Sequence, residues 1–211
     1  MKNIFRFILL LLVPVVFGQC SNTIPKKSLE NLKTAFDIES TAAAKYAKFS
    51  QSALEEGFDT IAKLFEAVSK SESIHALNHG KALEKLGGTI IVSVPGSFEV
   101  KTTAENIQSA IYSETYELQT MYPAFIRNSE NEKAPDAAKS FTLAWNTEKK
   151  HLAFYQVAAA AILKGNETGL PFTWYVCPIC GNMYSPDSVK GSCDFCLTKQ
   201  ENFIGYTESP K

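Results

Sequence analysis

Histidine is scarce in this sequence, with only three copies in 211 residues. Two of them, His75 and His151, each follow a glutamate by three positions, Glu72 and Glu148 respectively. Residues three apart lie on one face of a helix with Cβ atoms about 5–6 Å apart, so each pair can offer an oxygen and a nitrogen to one metal ion. A single such pair is more often a solvated surface pair than a ligand set. Two pairs, with almost no other histidine, indicate a site for two metal ions.

A strong charge excess is absent, and so is an apolar run of membrane-spanning length. The formal net charge is −1, and nothing resembles a basic nucleic-acid-binding surface. The apolar run at residues 8–17 follows Lys2 and Arg6 and is too short for a membrane span, so we interpret residues 1–20 as an export signal. Cleavage after Gly18 lowers the basic residues from 21 to 19 against 22 acidic residues, which gives a net charge of −3.

Cysteine is limited to five residues. The first, Cys20, comes directly after the apolar run and raises an alternative, processing as a lipoprotein with a lipid on this cysteine, although Gln19 is atypical at the preceding position. Both routes place the mature protein in the periplasm or at the cell envelope.

The other four cysteines form two Cys-x-x-Cys pairs separated by twelve residues. Paired knuckles in a segment too small for its own apolar core are typical of a tetrahedral four-thiolate site, whose metal stabilises the fold. Two disulfides are the alternative, and an oxidising compartment would favour them. Ligand type alone does not separate iron from zinc, because both accept four sulfurs. The predicted ligands are Cys177, Cys180, Cys193 and Cys196.

Apolar residues recur at helical spacing in four stretches, at 29–54, 59 to about 86, 102 or 103 to about 128, and 135–163. Asp59 is the expected N-cap of the second helix, and Gly87 and Gly88 are its expected stop. Residues 89–96 are β-branched and extended, and are long enough for a crossover. The sequence therefore predicts an all-α four-helix bundle with a long connection between its second and third helices, then a linker at 165–172 and a small cysteine-bearing domain.

Four glutamates are spaced so that they meet at one level of this bundle. Glu39 and Glu72 are equally distant from the break at residues 55–57, and Glu114 and Glu148 from the turn-like stretch 128–135. Glu39 and Glu114 are 75 residues apart and Glu72 and Glu148 are 76 apart, as in two repeated hairpins. Glu117 adds a fifth acid. Five glutamates at one level repel one another unless cations neutralise them, and mixed oxygen and nitrogen ligands suit iron or manganese.

These motifs together resemble the rubrerythrin family, in which a ferritin-like di-iron bundle precedes a rubredoxin-like domain. The resemblance covers about residues 28–206 and implies a bundle at 28–164 and a rubredoxin-like domain at 173–206. It implies two non-haem irons in the bundle and one iron, or less readily zinc, on the four cysteines. The implied di-iron ligands are Glu39, Glu72, His75, Glu114, Glu117, Glu148 and His151.

The resemblance also implies an activity, the reduction of hydrogen peroxide to water in oxidative-stress defence. Electrons would enter through the four-cysteine iron, often that of the partner subunit in a head-to-tail homodimer. Tyr46 and Tyr122 fall where the family keeps tyrosines beside the irons, although each could equally be a core aromatic. His75 and Glu117 would exchange as ligands of one iron when its oxidation state changes. His79, one turn beyond His75, is expected to support the site rather than to bind metal.

Two departures from the family leave other functions open. The second knuckle has Leu197 at the position that Gly181 occupies in the first, where glycine permits a positive φ and N–H bonds to sulfur. Export is the other departure, because the family is mostly cytoplasmic and an exported member needs an electron donor that the sequence does not reveal. Iron handling as a ferroxidase and non-catalytic oxidant sensing are therefore kept as alternatives.

Overall fold

The structure, a computed structural model, describes residues 24–91, 94–165, 167 and 169–207. Its helical part is a four-helix bundle, as the sequence predicts. The first two helices form one hairpin, and a crossover leads to the second pair. In the second pair, the first helix is divided into two α-helical parts by a π-helical turn at Glu117–Met121. The helices are α1 (Lys26–Glu55), α2 (Asp59–Lys85), α3 (Thr103–Tyr116), α4 (Tyr122–Asn131) and α5 (Pro135–Leu163).

Glycines end the first two helices in the way that the sequence predicts. Gly57 and Gly87 both have φ of 83°, a left-handed conformation that glycine adopts without a Cβ clash. After each glycine, the next backbone N–H returns to the helix, from Phe58 to the Ala53 carbonyl at 2.8 Å and from Gly88 to the Leu83 carbonyl at 2.9 Å. These bonds close the helix ends in the Schellman pattern.

The start of α2 differs from the sequence prediction. Phe58 occupies the N-cap position and Asp59 is the first helical residue, so Asp59 does not cap the helix. The carboxylate of Glu167 accepts hydrogen bonds from the backbone N–H of Thr60 and Ile61 instead, at 3.3 and 2.8 Å. An anion at a helix N-terminus satisfies unpaired donors and complements the helix dipole. The linker after α5 therefore caps the N-terminus of α2, although the two segments are more than one hundred residues apart in the sequence.

The crossover between α2 and α3 runs along α1 and, in residues 88–91 and 94–102, contains no helix or strand. The backbone N–H of Gly96 donates to Thr41 Oγ1 at 2.9 Å, and Ser52 Oγ donates to the Lys101 carbonyl at 3.0 Å. Thr102 then begins α3 with a complete capping box to Glu105. This start agrees with the sequence prediction.

Two apolar clusters fill the bundle, and the predicted ligand residues of α1, α2, α3, the π-helical turn and α5 lie between them. The first cluster includes Tyr46, Phe49, Phe65 and Tyr155. The second includes Leu32, Leu83, Met121, Tyr122 and Phe141. Because close-packed apolar layers lie on both sides, the polar level between them is closed to solvent along the bundle axis.

The C-terminal segment folds as a three-stranded antiparallel sheet in the order β2-β1-β3, with β1 at Trp174–Val176, β2 at Met183–Tyr184 and β3 at Ile204–Tyr206. Trp174 and Val176 point into the first apolar cluster of the bundle. The Trp174 ring packs on Phe154 of α5, with ring centroids 4.6 Å apart. The small domain thus extends the core of the bundle on one side, and around its cysteines it has a small cluster of its own that includes Cys177, Cys180, Tyr184 and Cys193.

Residues 1–20 lie outside the described part of the chain, so the export signal, the cleavage site and a lipid on Cys20 stay predictions from the sequence. Within the described residues, no helix combines the length and apolarity needed to cross a membrane.

Candidate metal centre

All four long helical segments contribute acids or imidazoles to one buried level of the bundle. Each predicted di-iron ligand is at most 3% exposed. Glu39 comes from α1, Glu72 and His75 from α2, and Glu148 and His151 from α5. The remaining two ligands are Glu114 near the end of α3 and Glu117 at the start of the π-helical turn.

The ligand atoms divide into two groups that share two carboxylates. Glu39, Glu72, His75 and Glu148 offer atoms within 4.8 Å of one another, and so do Glu72, Glu114, Glu148 and His151. The common members are Glu72 and Glu148. The sequence prediction of two metal ions therefore has a direct geometric counterpart.

Glu72 and Glu148 each direct one oxygen to each histidine. The Glu72 oxygens lie 2.8 Å from His75 Nδ1 and 3.2 Å from His151 Nδ1. The Glu148 oxygens lie 2.9 and 2.6 Å from the same two nitrogens. Ligands about 2.0–2.2 Å from one cation are separated by about 3 Å, so these spacings suit a metal ion at each histidine with both carboxylates bridging.

The buried ligand level is suited to bind cations. Without metal, its side chains keep protons instead, as their raised pKa values indicate. Burial raises the pKa of Glu39 and Glu117 well above the ordinary value, and raises that of Glu114 to about 8. Burial opposes a charge on His75 also, but Glu148 outweighs it and raises the His75 pKa to about 10. Several of these atoms have no hydrogen-bond partner, including Glu39 Oε2, Glu114 Oε2 and His151 Nε2. Such unpaired buried groups fit a metal-binding site and are costly without one.

Glu117 lies beside the two groups of four without belonging to either. It is buried, with Oε2 unpaired, and the carboxylate that most strongly raises its pKa after burial is Glu39. Glu117 also lines a surface pocket of about 430 Å³ between α1, α3 and the crossover. The π-helical turn starts at Glu117, and such turns occur mostly at functional sites. Glu117 thus lies between the ligand level and this pocket.

Two buried tyrosines donate hydrogen bonds to ligand carboxylates. Tyr46 donates to Glu114 Oε1 at 2.8 Å, and the hydroxyl of Tyr122 is hydrogen bonded to Glu39 Oε1. Burial raises the pKa of both tyrosines well above the ordinary value, so both hydroxyls stay protonated. The structure therefore places both predicted tyrosines in contact with the site.

His79 is not among the grouped ligand atoms. Its Nε2 lies 3.1 Å from the Tyr122 hydroxyl and its Nδ1 lies 2.8 Å from Ser140 Oγ. This location agrees with the expectation that His79 supports the site without binding metal. Ser140 itself carried no signal in the sequence, because a single serine on a helix has no distinguishing pattern.

The four predicted thiols converge in the C-terminal domain and are not bonded to one another. The Sγ atoms of Cys177 and Cys196, and those of Cys180 and Cys193, are 3.4 Å apart. A disulfide bond measures about 2.03–2.05 Å, whereas sulfurs about 2.3 Å from one tetrahedral metal are about 3.8 Å apart. All four cysteines of the described residues are free, so the geometry favours a four-thiolate metal site over two disulfides.

The two knuckles have the same backbone geometry despite their different sequences. Gly181 has φ of 81° and its N–H donates to the Cys177 carbonyl at 3.0 Å. Leu197 has φ of 62° and its N–H donates to the Cys193 carbonyl, also at 3.0 Å. Leucine therefore adopts the left-handed conformation that glycine ordinarily supplies, and the departure seen in the sequence does not change the turn.

The cysteine domain contacts the helices that carry the histidine ligands. Ser71 Oγ donates to the Gly181 carbonyl at 2.7 Å, and Asn78 Nδ2 donates to the Ile179 carbonyl at 2.8 Å. From α5, Lys150 donates to the Met183 carbonyl at 3.3 Å and lies over the Tyr184 ring. Sequence reasoning missed these docking residues, because each resembles an ordinary surface residue until the two domains meet.

A bundle that buries shared carboxylates and two imidazoles at one level is that of a ferritin-like di-iron protein, and the cysteine domain gives it a second metal centre. The rubrerythrin family model matches residues 30–159. The chain therefore belongs to the rubrerythrin family, and the predicted di-iron and four-cysteine sites are confirmed as features of that family.

Relatives and solved structures agree with this assignment. Nigerythrin of Nitratidesulfovibrio vulgaris is 33% identical over 189 residues, which cover 88% of this chain and 90% of that protein. Rubrerythrin-2 of Clostridium acetobutylicum is 27% identical over 175 residues, covering 83% and 94% respectively. The structure is similar to nigerythrin in its fully reduced, all-ferrous state, with a TM-score of 0.76, 29% identity, and coverage of 98% of this chain and 100% of that one.

A more distant similarity shows the bundle fold alone. The bacterioferritin of Desulfovibrio desulfuricans has a TM-score of 0.62 at 20% identity, covering 71% of this chain and 87% of that one.

Proposed function

We propose that this protein is a non-haem di-iron peroxidase that reduces hydrogen peroxide to water, with electrons entering through the four-cysteine site. The observation that carries the proposal is the contact between the two metal centres. The backbone of Gly181, next to the ligand Cys180, lies directly against the imidazole of His75. A redox centre docked on a ligand of a second redox centre is an arrangement for electron transfer.

The irons would supply two electrons per peroxide, each ion passing from the ferrous to the ferric state. The chain's own residues supply the rest. Glu72 and Glu148, which belong to both ligand groups, would hold the two ions, and the apolar clusters exclude water from above and below. The pocket that ends at Glu117 gives a small molecule a route to the ligand level.

His75 and Glu117 are suited to exchange as ligands of one ion. His75 belongs to the group that includes Glu39, and Glu117 stands beside that group with a carboxylate oxygen unpaired. A ferric pair carries more positive charge than a ferrous pair and attracts a further carboxylate. If irons occupied the site, His75 would offer one of them a neutral nitrogen and Glu117 an anionic oxygen, and a more positive ion would favour Glu117.

The four thiols divide their protons unequally in the protein alone. Hydrogen bonding with Cys180 lowers the pKa of Cys177, but Cys193 and burial outweigh it and raise that pKa to about 11. Hydrogen bonding with Cys177 and Cys193 raises the pKa of Cys180. Backbone N–H groups of Cys180 and Ile179 act to lower the pKa of Cys177, and that of Phe195 acts to lower the pKa of Cys193. Hydrogen bonds from Cys177 and Cys180 hold the pKa of Cys193 well below its ordinary range. N–H bonds to sulfur and burial are the features by which proteins set the potential of such centres.

A metal substitution in the full chain tests the proposal. Protein with iron in both sites should consume peroxide repeatedly under anaerobic conditions with a reducing donor. Protein with iron in the bundle and zinc on the cysteines should keep its fold and, once reduced chemically, react a single time with peroxide. Repeated turnover should then be lost, because zinc has no accessible redox change. Undiminished turnover with zinc would show that the cysteine domain is structural.

Iron handling is the second candidate, and the pocket at Glu117 favours it. Asp37 and Glu117 give this pocket two acids against one cation, Lys45, so its lining has a net negative charge that attracts ferrous ions. A ferroxidase would accumulate ferric iron beyond the bound metal, whereas a peroxidase would not. An oxidant sensor would show neither iron accumulation nor peroxide turnover.

Two further parts of the proposal concern location and assembly. Residues 1–20 support an exported location, with electrons from an envelope donor. The family resemblance supports assembly as a homodimer.

A further inference from the structure

A row of buried polar groups extends outward from Glu39, and metal binding does not use it. It begins with the Tyr122 hydroxyl, which is hydrogen bonded to Glu39 Oε1. His79 Nε2 is 3.1 Å from that hydroxyl, and His79 Nδ1 is 2.8 Å from Ser140 Oγ. The four residues come from α1, α4, α2 and α5, so the row crosses the whole bundle. None is more than 8% exposed.

The hydrogens in this row have one consistent arrangement. Glu39 as an ionised ligand only accepts, so the single hydrogen of the Tyr122 hydroxyl points to it. The tyrosine oxygen must then accept from His79 Nε2–H. Burial lowers the pKa of His79 to about 3, so the ring is neutral and carries one N–H. Its Nδ1 therefore accepts from the Ser140 hydroxyl, and every donor in the row points toward Glu39.

The outer end of the row reaches solvent. Ser140 lines a surface pocket of about 230 Å³ together with Lys81, Lys139 and Ile179 of the cysteine domain. Water in this pocket can donate to the serine oxygen. On the opposite side of the site, Tyr46 donates to Glu114, but its ring is enclosed by Phe49, Phe65 and Tyr155. Glu117 borders its own pocket directly, whereas the Glu39 side of the ligand level is linked to a pocket through this row of hydrogen-bonded groups.

We propose that Ser140, His79 and Tyr122 form a proton relay that supplies the di-iron site from this pocket. The proposal rests on the proposed peroxidase function. Reduction of H2O2 breaks one O–O bond, forms two water molecules, and consumes two protons and two electrons, the electrons coming from the two ferrous ions. One passage along the row delivers one of these protons.

In a passage, Glu39 receives the hydrogen of Tyr122 while the tyrosine oxygen takes the hydrogen of His79 Nε2. His79 takes the Ser140 hydrogen at Nδ1, and the serine oxygen is reprotonated by pocket water. Before and after a passage, the His79 ring carries a hydrogen on only one of its two nitrogens, which agrees with its buried and uncharged state. For the next passage the His79 ring must leave its two hydrogen bonds, release the Nδ1 hydrogen to water and take a hydrogen from water at Nε2, while the Tyr122 and Ser140 hydroxyls rotate back.

The tautomer of His79 is the first test, and it needs no catalysis. The full chain labelled with ¹⁵N-histidine and loaded with zinc in both sites is diamagnetic, and a His79→Gln sample assigns the His79 signals. Long-range ¹H–¹⁵N spectra should show a protonated Nε2 and an acceptor Nδ1, whose shift moves in Ser140→Ala. A protonated Nδ1 would overturn the relay, because Tyr122 would then have to donate away from Glu39.

The second test is a single reaction of diferrous full-chain protein with peroxide, followed by stopped flow in H2O and D2O. Ser140→Ala and His79→Gln should retain iron and react about tenfold more slowly or worse, with a larger solvent isotope effect, since general acid catalysis is typically worth 10²–10⁴. Thr142→Ala is the matched control, because its hydroxyl bonds only to the Ala138 carbonyl of the same helix.

The two tests separate the relay from the proposed function. Unchanged rates and isotope effects in both variants, with wild-type reactivity intact, would overturn the relay and leave the peroxidase standing. Wild-type diferrous protein that does not react with peroxide would overturn the peroxidase and the delivery role together. If His79→Gln fails to fold, Ser140→Ala still gives a valid kinetic test, because it removes only the hydroxyl at the pocket end of the row.

Discussion

The Cα of Gly181 faces the imidazole of His75 so closely that a Cβ built on it would lie 2.6 Å from Nε2 and 3.1 Å from the Ser71 carbonyl oxygen. Real Cβ atoms do not approach other atoms within 3 Å. We therefore expect Gly181→Ala to separate the cysteine domain from α2, with a loss of more than about 2 kcal/mol in the free energy of unfolding. Thermal unfolding and the visible spectrum of the di-iron centre are the measurements.

Gly191→Ala is the control for this substitution. Gly191 belongs to the same domain and has φ of 61°, but a Cβ there would meet nothing within 4 Å. It should cost only the strain of a left-handed alanine, about 1 kcal/mol, and leave the di-iron spectrum unchanged. Equal losses in the two variants would mean that the domains are not docked through His75.

Leu197→Gly should act in the opposite direction. Leu197 is held at φ of 62° and its side chain is 77% exposed, so glycine removes strain and little buried surface. We expect the four-cysteine site to release its metal to a chelator more slowly, with a gain of about 1 kcal/mol in the free energy of unfolding. Leu197→Ala keeps the Cβ and should show no gain. Faster release from the glycine variant would contradict this account of the turn.

The sequence predicted the bundle from local signatures, and its ligands from two local Glu-x-x-His pairs, the spacing of Glu39 and Glu114 along the hairpins, and, for Glu117, the family resemblance. Helical periodicity, glycine stops and two Glu-x-x-His pairs are local patterns, and the structure places all seven predicted ligands within the buried level. The cap of α2 was predicted wrongly because its acceptor, Glu167, is more than one hundred residues away. The π-helical turn at Glu117 was also missed, since one extra residue shifts the phase of the apolar pattern by only about 100°, and such a shift is hard to see in a short segment.

Glu148→Ala and His79→Ala should differ in the iron that they retain. Glu148 belongs to both ligand groups, so its loss removes a shared oxygen from each ion and should abolish binding of the iron pair. His79 lies outside both groups and contacts the site only through Tyr122. Iron per chain, measured after purification, should therefore fall severely in Glu148→Ala and little in His79→Ala. Similar losses in both would show that His79 is a ligand.

The metal-free protein should become less stable as the pH rises from about 6 to about 8.5. Burial raises the Glu114 pKa from 4.5 to about 8, so its contribution to stability is complete below 4.5 and is lost as the pH rises through 8. Burial lowers the His75 pKa, but Glu148 outweighs it and raises the value from 6.5 to about 10, so the His75 contribution is lost over that higher range. Both groups therefore act in the same direction.

Glu148 does not reverse this trend. Burial acts to raise its pKa, but His75 and His151 outweigh burial and hold it well below 4.5, so its contribution is already complete at pH 6 and is lost only in acid. Urea unfolding of the metal-free full chain at the two pH values gives the slope directly. Glu114→Gln, which cannot titrate, should show a smaller decrease.

Metal should invert the pH dependence. Each bound ion displaces protons from Glu39, Glu114 and the histidines, so binding releases protons and strengthens as the pH rises. The zinc-loaded or iron-loaded protein should therefore be more stable at about pH 8.5 than at about pH 6, whereas the metal-free protein shows the reverse. A metal-free protein that gains stability over this range would mean that the carboxylates are already ionised without metal. The protons that now balance the buried acids would then have to be replaced by another source of positive charge.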